Sequence, residues 1–228
     1  VQLNVVDKSN GPIIFDSLNA AQEPMTIGDL VKNGIFARVS NYTPDELTNV
    51  HDNIWEPFAN KFENQRAFTN FFFPYGLIYN PNTKKNMTYN ELNNVWAQKS
   101  PEAIIEDMGS YQPFFNACFS GKLEGILDNE VKKQLELLYN ASIPQSSLPF
   151  LMCLLKSHHD GETSTKITCD ILHNLECFFV RRSICGHEPS GLHAVFKRLW
   201  NDLKTKTAAE VIQKISSLPT VKVPNDDE

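Results

Sequence analysis

Two adjacent arginines, Arg181 and Arg182, stand inside the apolar run "ILHNLECFFVRRSICG" that spans Ile171 to Gly186. A guanidinium always carries its charge, so it needs a carboxylate, a phosphate or several carbonyls wherever it is taken from water. Ile171, Leu175, Phe178, Arg182 and Cys185 recur at helical spacing, which places Arg182 on the buried stripe and leaves Arg181 on the flank with Asp170 and Asn174. Arg182 is therefore expected to clamp helices together, with Glu176 nearby in sequence or Asp29 at a distance as the carboxylate. The competing chemistry is phosphate binding, for which a paired arginine has the right fork of donors. Two other groupings invite zinc: His158, His159 and Asp160, and the set Cys185, His187 and His193. Neither has four ligands at the spacing of a zinc site, so no metal ligand is assigned. No catalytic residue is assigned either. The sequence has no nucleophile elbow and no glycine loop of the phosphate-cradling kind.

The elements that must position the arginines are nearly all helical. Thr26 with Asp29, Thr43 with Glu46, Thr88 with Glu91 and Thr207 with Glu210 carry the cap-and-acid spacing of helix starts. Helices are expected over 12–21, 26–39, 66–78, 89–98, 101–119, 129–139, 149–158, 165–185, 192–204 and 208–218, with Pro74 and Pro113 bending or splitting two of them. A further long helix after Thr43 carries Leu47, Val50, Ile54, Phe58 and Phe62 on one stripe. Gly186 and Pro189 end the arginine helix. The aromatic cluster "FTNFFFPYGLIY" has little charge around it and reads as core or interface, not as a base-stacking platform. Only Val1, Leu3 and Val5 show strand-like alternation, and the sequence opens directly on it, which reads as a piece of a longer polypeptide. The tail from Pro219 is charged and without apolar periodicity, so it is expected to fray.

Composition sets the outer limits. The 228 residues are 41% hydrophobic, ample for a real core, and net charge is −6. Val1 to Leu155 is acidic on balance and only Lys156 to Lys206 is slightly basic, so composition does not argue for a duplex-binding surface. Five cysteines, odd in number and without a C-x-x-C pair, read as reduced core thiols of a cytoplasmic protein. No apolar run approaches membrane-spanning length, so no membrane partner is expected.

Three ordered segments resemble a known family. "IIFDSLNAAQEPMTIGDLVKNGIF" is similar to a family segment F-x-x-L-N-x-x-G-x-x-L-x-x-x-D-L-I-x-N, and "LECFFVRRSICG" followed by "LHAVFKRLW" is similar to its late L-E-x-x-x-x-R-R and F-x-x-L segments. Between them lie a tryptophan-centred helix, "DNIWEPFANKF", and a phenylalanine-rich helix. This pattern resembles the GmrSD-type modification-dependent restriction proteins, prokaryotic phage-defence nucleases. The matched positions are Phe15, Leu18, Asn19, Asp29, Leu30, Asn33, Leu175, Glu176, Arg181, Arg182 and Phe196; the family glycine after L-N is Gln22 here.

The resemblance implies a mainly α, multi-helical bundle-like extension with a short strand left from an α/β ParB/sulfiredoxin-like domain. Residues 1–40 would be the end of that domain, 41–218 the helical domain and 219–228 a flexible tail. The family's D-G-Q-Q-R motif and its H-N-H nuclease motif do not occur in this sequence. The nucleotide and divalent metal of the full-length family would be held elsewhere, in other domains of the parent or in a partner nuclease subunit, and this chain alone would be inactive. Two alternatives stand beside that scaffold: a DNA module in which Arg181, Lys197 and Arg198 contact phosphates, and a protein-interaction domain without an enzymatic role.

Overall fold

The computed structural model describes residues 25–39, 42–122, 125–187, 191–219 and 221–224. Among these the chain is mainly helical, with no strand. The expected strand at Val1 to Val6 and the helix at 12–21 lie outside the described residues. In order the helices are α1 (Ile27–Phe36), α2 (Pro44–Asn49), a π-helical segment (Val50–Trp55), α3 (Glu56–Ala59), α4 (Gln65–Tyr79), α5 (Thr88–Val95), α6 (Pro101–Ser120), α7 (Asn129–Asn140), α8 (Leu148–His159), α9 (Thr165–Ile184), α10 (Leu192–Asp202) and α11 (Ala208–Ser216).

Local chemistry accounts for most of the starts. Thr26 and Thr43 form reciprocal capping boxes with Asp29 and Glu46. Thr88 does not cap. A 3-10 turn, Lys85–Met87, precedes it, and its hydroxyl donates to the Lys85 carbonyl at 2.8 Å, while Glu91 accepts from Asn80 at 3.0 Å. Neither proline splits its helix: α4 runs through Pro74 and α6 through Pro113.

The helix expected after Thr43 is interrupted by the π turn. Its wider pitch takes in one extra residue, so Trp55, at 2% exposure, takes the core position that a regular helix would give to Ile54. Val50, Phe58 and Phe62 stay buried on either side.

At the centre is α8, buried nearly all round from Leu148 to Leu155, as befits a helix apolar on every face. It packs on α4, α6, α9 and α10, while α9 lies along α7 and against α11. The buried side chains form one cluster that includes Val31 and Ile35 of α1 together with Val221 near the end. The described part of 1–40 therefore shares its core with the rest, and the fraying expected from Pro219 does not extend to Val221 and Pro224, both buried.

Candidate functional site

The arginine pair sits at the carboxy-terminal end of α9. Ser164 caps the helix by accepting from the Ile167 N–H, and Ile171, Leu175 and Phe178 are buried along its inner stripe. Four residues on from Phe178, Arg182 is 5% exposed, whereas Arg181 is exposed. The helix stops in a Schellman turn: His187 N–H donates to the Arg182 carbonyl at 2.9 Å, Gly186 N–H to that of Ser183 at 3.2 Å, and Gly186 takes φ 66°. Both arginines thus lie in the last turn, where the helix dipole favours cations.

The Arg182 guanidinium donates to the Lys222 carbonyl at 2.5 Å and lies over the Phe178 ring at 5.6 Å. Burial lowers its pKa from the ordinary value, and it remains a cation. The expected carboxylate partners are corrected. Glu176, six residues back, is on a different face and accepts from Gln134 of α7 at 2.8 Å, while Asp29 caps α1. A cavity of about 340 Å³ lies beside Arg182, bounded by Ser142, Pro144, Phe179, Ser183 and His187.

The other matched positions are scattered. Phe15, Leu18 and Asn19 fall outside the described residues. Leu30 is partly buried and Asn33 exposed on α1, and Leu175 is buried on α9. Phe196 of α10 is buried with its ring 5.8 Å from Phe179, joining α10 to α9. Lys197 is partly exposed and Arg198 exposed, both on α10. Of the histidines considered as metal ligands, His158 and His159 hold loops. His158 Nδ1 is 3.1 Å from the Thr163 carbonyl and its Nε2 is 3.3 Å from Asp128, and His159 Nδ1 is 3.2 Å from the Ile126 carbonyl. Among the described residues no group of three or more metal-binding side chains comes together.

One constellation escaped the sequence reading. At the π turn His51 Nδ1 is 2.7 Å from Asp52, and its Nε2 is 3.3 Å from Lys32 Nζ and 3.4 Å from Glu56. Lys32 in turn is 3.5 Å from Glu56 and lies over the Trp55 ring at 5.9 Å. Five residues separate His51 from Glu56, so a regular helix would splay them apart; the wide turn brings them together. With a proton on Nδ1 facing Asp52, Nε2 accepts from Lys32 at a partly exposed surface. The adjoining cavity of about 350 Å³ is bounded by Gly28, Asp29, Lys32, Trp55 and Glu56, so one matched position, Asp29, borders this site. The only signal in the sequence was His51-Asp52 with Glu56 five residues on.

No family model, curated protein or solved structure matches the chain. Among the described residues no helix is long and apolar enough to cross a membrane.

Proposed function

We propose that the chain is the helical scaffold of a prokaryotic, cytoplasmic GmrSD-like restriction protein, set between a nucleotide-dependent domain and a nuclease domain of the same polypeptide or of a partner subunit. The supporting observation is the use to which α9 and α10 put their family-matching residues. Leu175, Arg182 and Phe196 are buried in packing contacts, and Glu176 ties α9 to α7. Those positions hold helices in register, which is what a scaffold requires of them. Nucleotide and divalent metal belong to the flanking domains in this reading. The alternative, a DNA-phosphate module, draws on the exposed Arg181 and Arg198 and on partly exposed Lys197.

Fluorescence anisotropy with a labelled duplex over a salt series separates the two. The scaffold gives no salt-dependent affinity and no metal-dependent nicking or phosphate release from nucleotide. Affinity that falls steeply with salt and weakens on Arg181→Ala establishes the phosphate module instead. Cleavage by the pure chain overturns both. In cells, the parent reading frame should restrict phage plating, and Arg182→Ala should weaken restriction by lowering the amount of folded protein.

A further inference from the structure

A further cavity, of about 350 Å³, lies between α4, α8 and α10 and is lined by none of the residues the proposed function uses. Its floor is apolar, made by Phe73, Pro74 and Leu77 of α4 together with Phe119 and Leu148. Polar groups ring that floor: Thr69, Lys85, Gln145, Ser146 and His193. Among the described residues none of these five has a side-chain hydrogen bond within the protein. Unengaged polar groups converging on an apolar floor are the usual build of a small-molecule site, and the volume falls within the roughly 300–1,000 Å³ such sites occupy.

The sign of the rim is informative. The chain as a whole carries −6, yet among the described residues no Asp or Glu lines this cavity, and Lys85 provides a cation at its edge. His193 is stacked on Phe73, ring centroids 6.0 Å apart and 19° from parallel, so the mouth offers a flat aromatic wall. Burial and the neighbouring Lys197 lower the His193 pKa, which keeps that wall a neutral imidazole near neutral pH, able to donate one hydrogen bond and accept another.

We infer that this cavity binds a small aromatic carboxylate, its ring on the floor of Phe73, Leu77 and Phe119 and its anionic end toward Lys85. Apolar burial supplies the attraction, and the lysine selects for charge. Titration calorimetry on the whole chain with 2-naphthoate and its neutral counterpart 2-naphthamide tests this. One naphthoate should bind per chain, at least about tenfold more tightly than the amide. Lys85→Glu, on an exposed side chain, should cost naphthoate about tenfold or more in affinity while leaving the amide and the melting temperature unchanged. Ser146→Trp, which fills the mouth, should abolish binding of both. Equal affinities for acid and amide, naphthoate affinity indifferent to Lys85→Glu, or no binding of either probe to the folded chain would each overturn the assignment.

Discussion

The amino-terminal and carboxy-terminal sides of the molecule share one core but close it differently. On the amino-terminal side rings pack on rings. Phe71, fully buried, has Phe62 at 5.3 Å, Tyr75 at 5.2 Å and Phe115 at 5.4 Å between centroids. Around the end of α3 backbone carbonyls accept from neutral amides, Phe58 from Gln112 at 2.7 Å and Lys61 from Asn116 at 3.0 Å. On the carboxy-terminal side the packing is largely aliphatic, through Ile171, Leu175, Val211 and Ile215, and ions sit at the closing points. Arg182 holds the terminal segment, and Glu210 accepts from the backbone N–H groups of Lys204, Thr205 and Lys206 at 2.7, 2.7 and 3.0 Å. Ions touch the amino-terminal side too, with Arg38 donating to the Trp96 carbonyl at 2.9 Å and Lys99 to Asp107 at 3.2 Å, but its buried centre is closed by rings and neutral amides, so the two sides should answer to different perturbations.

The largest effect should come from the ring-packed side. Phe71→Ala empties a site with aromatic neighbours on several sides and should destabilise by about 3–5 kcal/mol in denaturant melts, with little dependence on salt. A loss under about 1 kcal/mol would mean that the rings repack freely and that the comparison fails on this side. Next, Arg182→Ala removes the charged donor to the Lys222 carbonyl and should cost about 1.5–3 kcal/mol. Deleting residues from Val221 onward should cost a similar amount, and the two changes together should fall short of additivity because they break the same contact. Full additivity would separate the arginine from the tail.

A pH series sharpens the contrast further. Backbone and hydroxyl donors hold the Glu210 carboxyl down to about 2 from an ordinary 4.5. A depressed carboxylate stabilises the fold above 4.5, and that contribution disappears as pH falls toward about 2. Amide signals of α11 and of Lys204 to Lys206 should therefore loosen in that window, and Glu210→Gln should show the loosened state already at neutral pH. If α4 and α6 lose protection first, the assignment of the acid-labile side is wrong. The smallest effect belongs to Arg181→Ala, under about 0.5 kcal/mol, because the side chain is exposed.

Local signals in the sequence carried the helix starts and the phase of the arginine helix, because capping and apolar spacing act over three or four residues. Gly186 was legible for the same reason. What failed was non-local or depended on competition between turns. The stripe through Leu47, Val50 and Ile54 assumes a constant pitch, and nothing in those residues announces the π turn that brings Trp55 inward. Thr88 had the right spacing for a cap, but the 3-10 turn ahead of it left its hydroxyl a different acceptor. The burial of Arg182 followed from spacing alone, while its bond to Lys222 did not, since a backbone carbonyl forty residues on leaves no mark in side-chain pattern. The His51 cluster stayed hidden for the first of these reasons, and the cavity beneath His193 because its walls come from helices far apart in the chain.

The bond from Arg182 to the Lys222 carbonyl also sets an order of events during synthesis. A ribosome adds roughly 5–20 residues per second, so a chain grown just past α9 must wait some seconds before residue 222 has emerged from the exit tunnel. Through that interval the guanidinium has no Lys222 carbonyl to bind, while Phe71 and its neighbours, all made earlier, can already assemble. The nascent protein should thus pass through a stage with its aromatic side consolidated and the end of α9 still open, the interval in which a chaperone has most to hold.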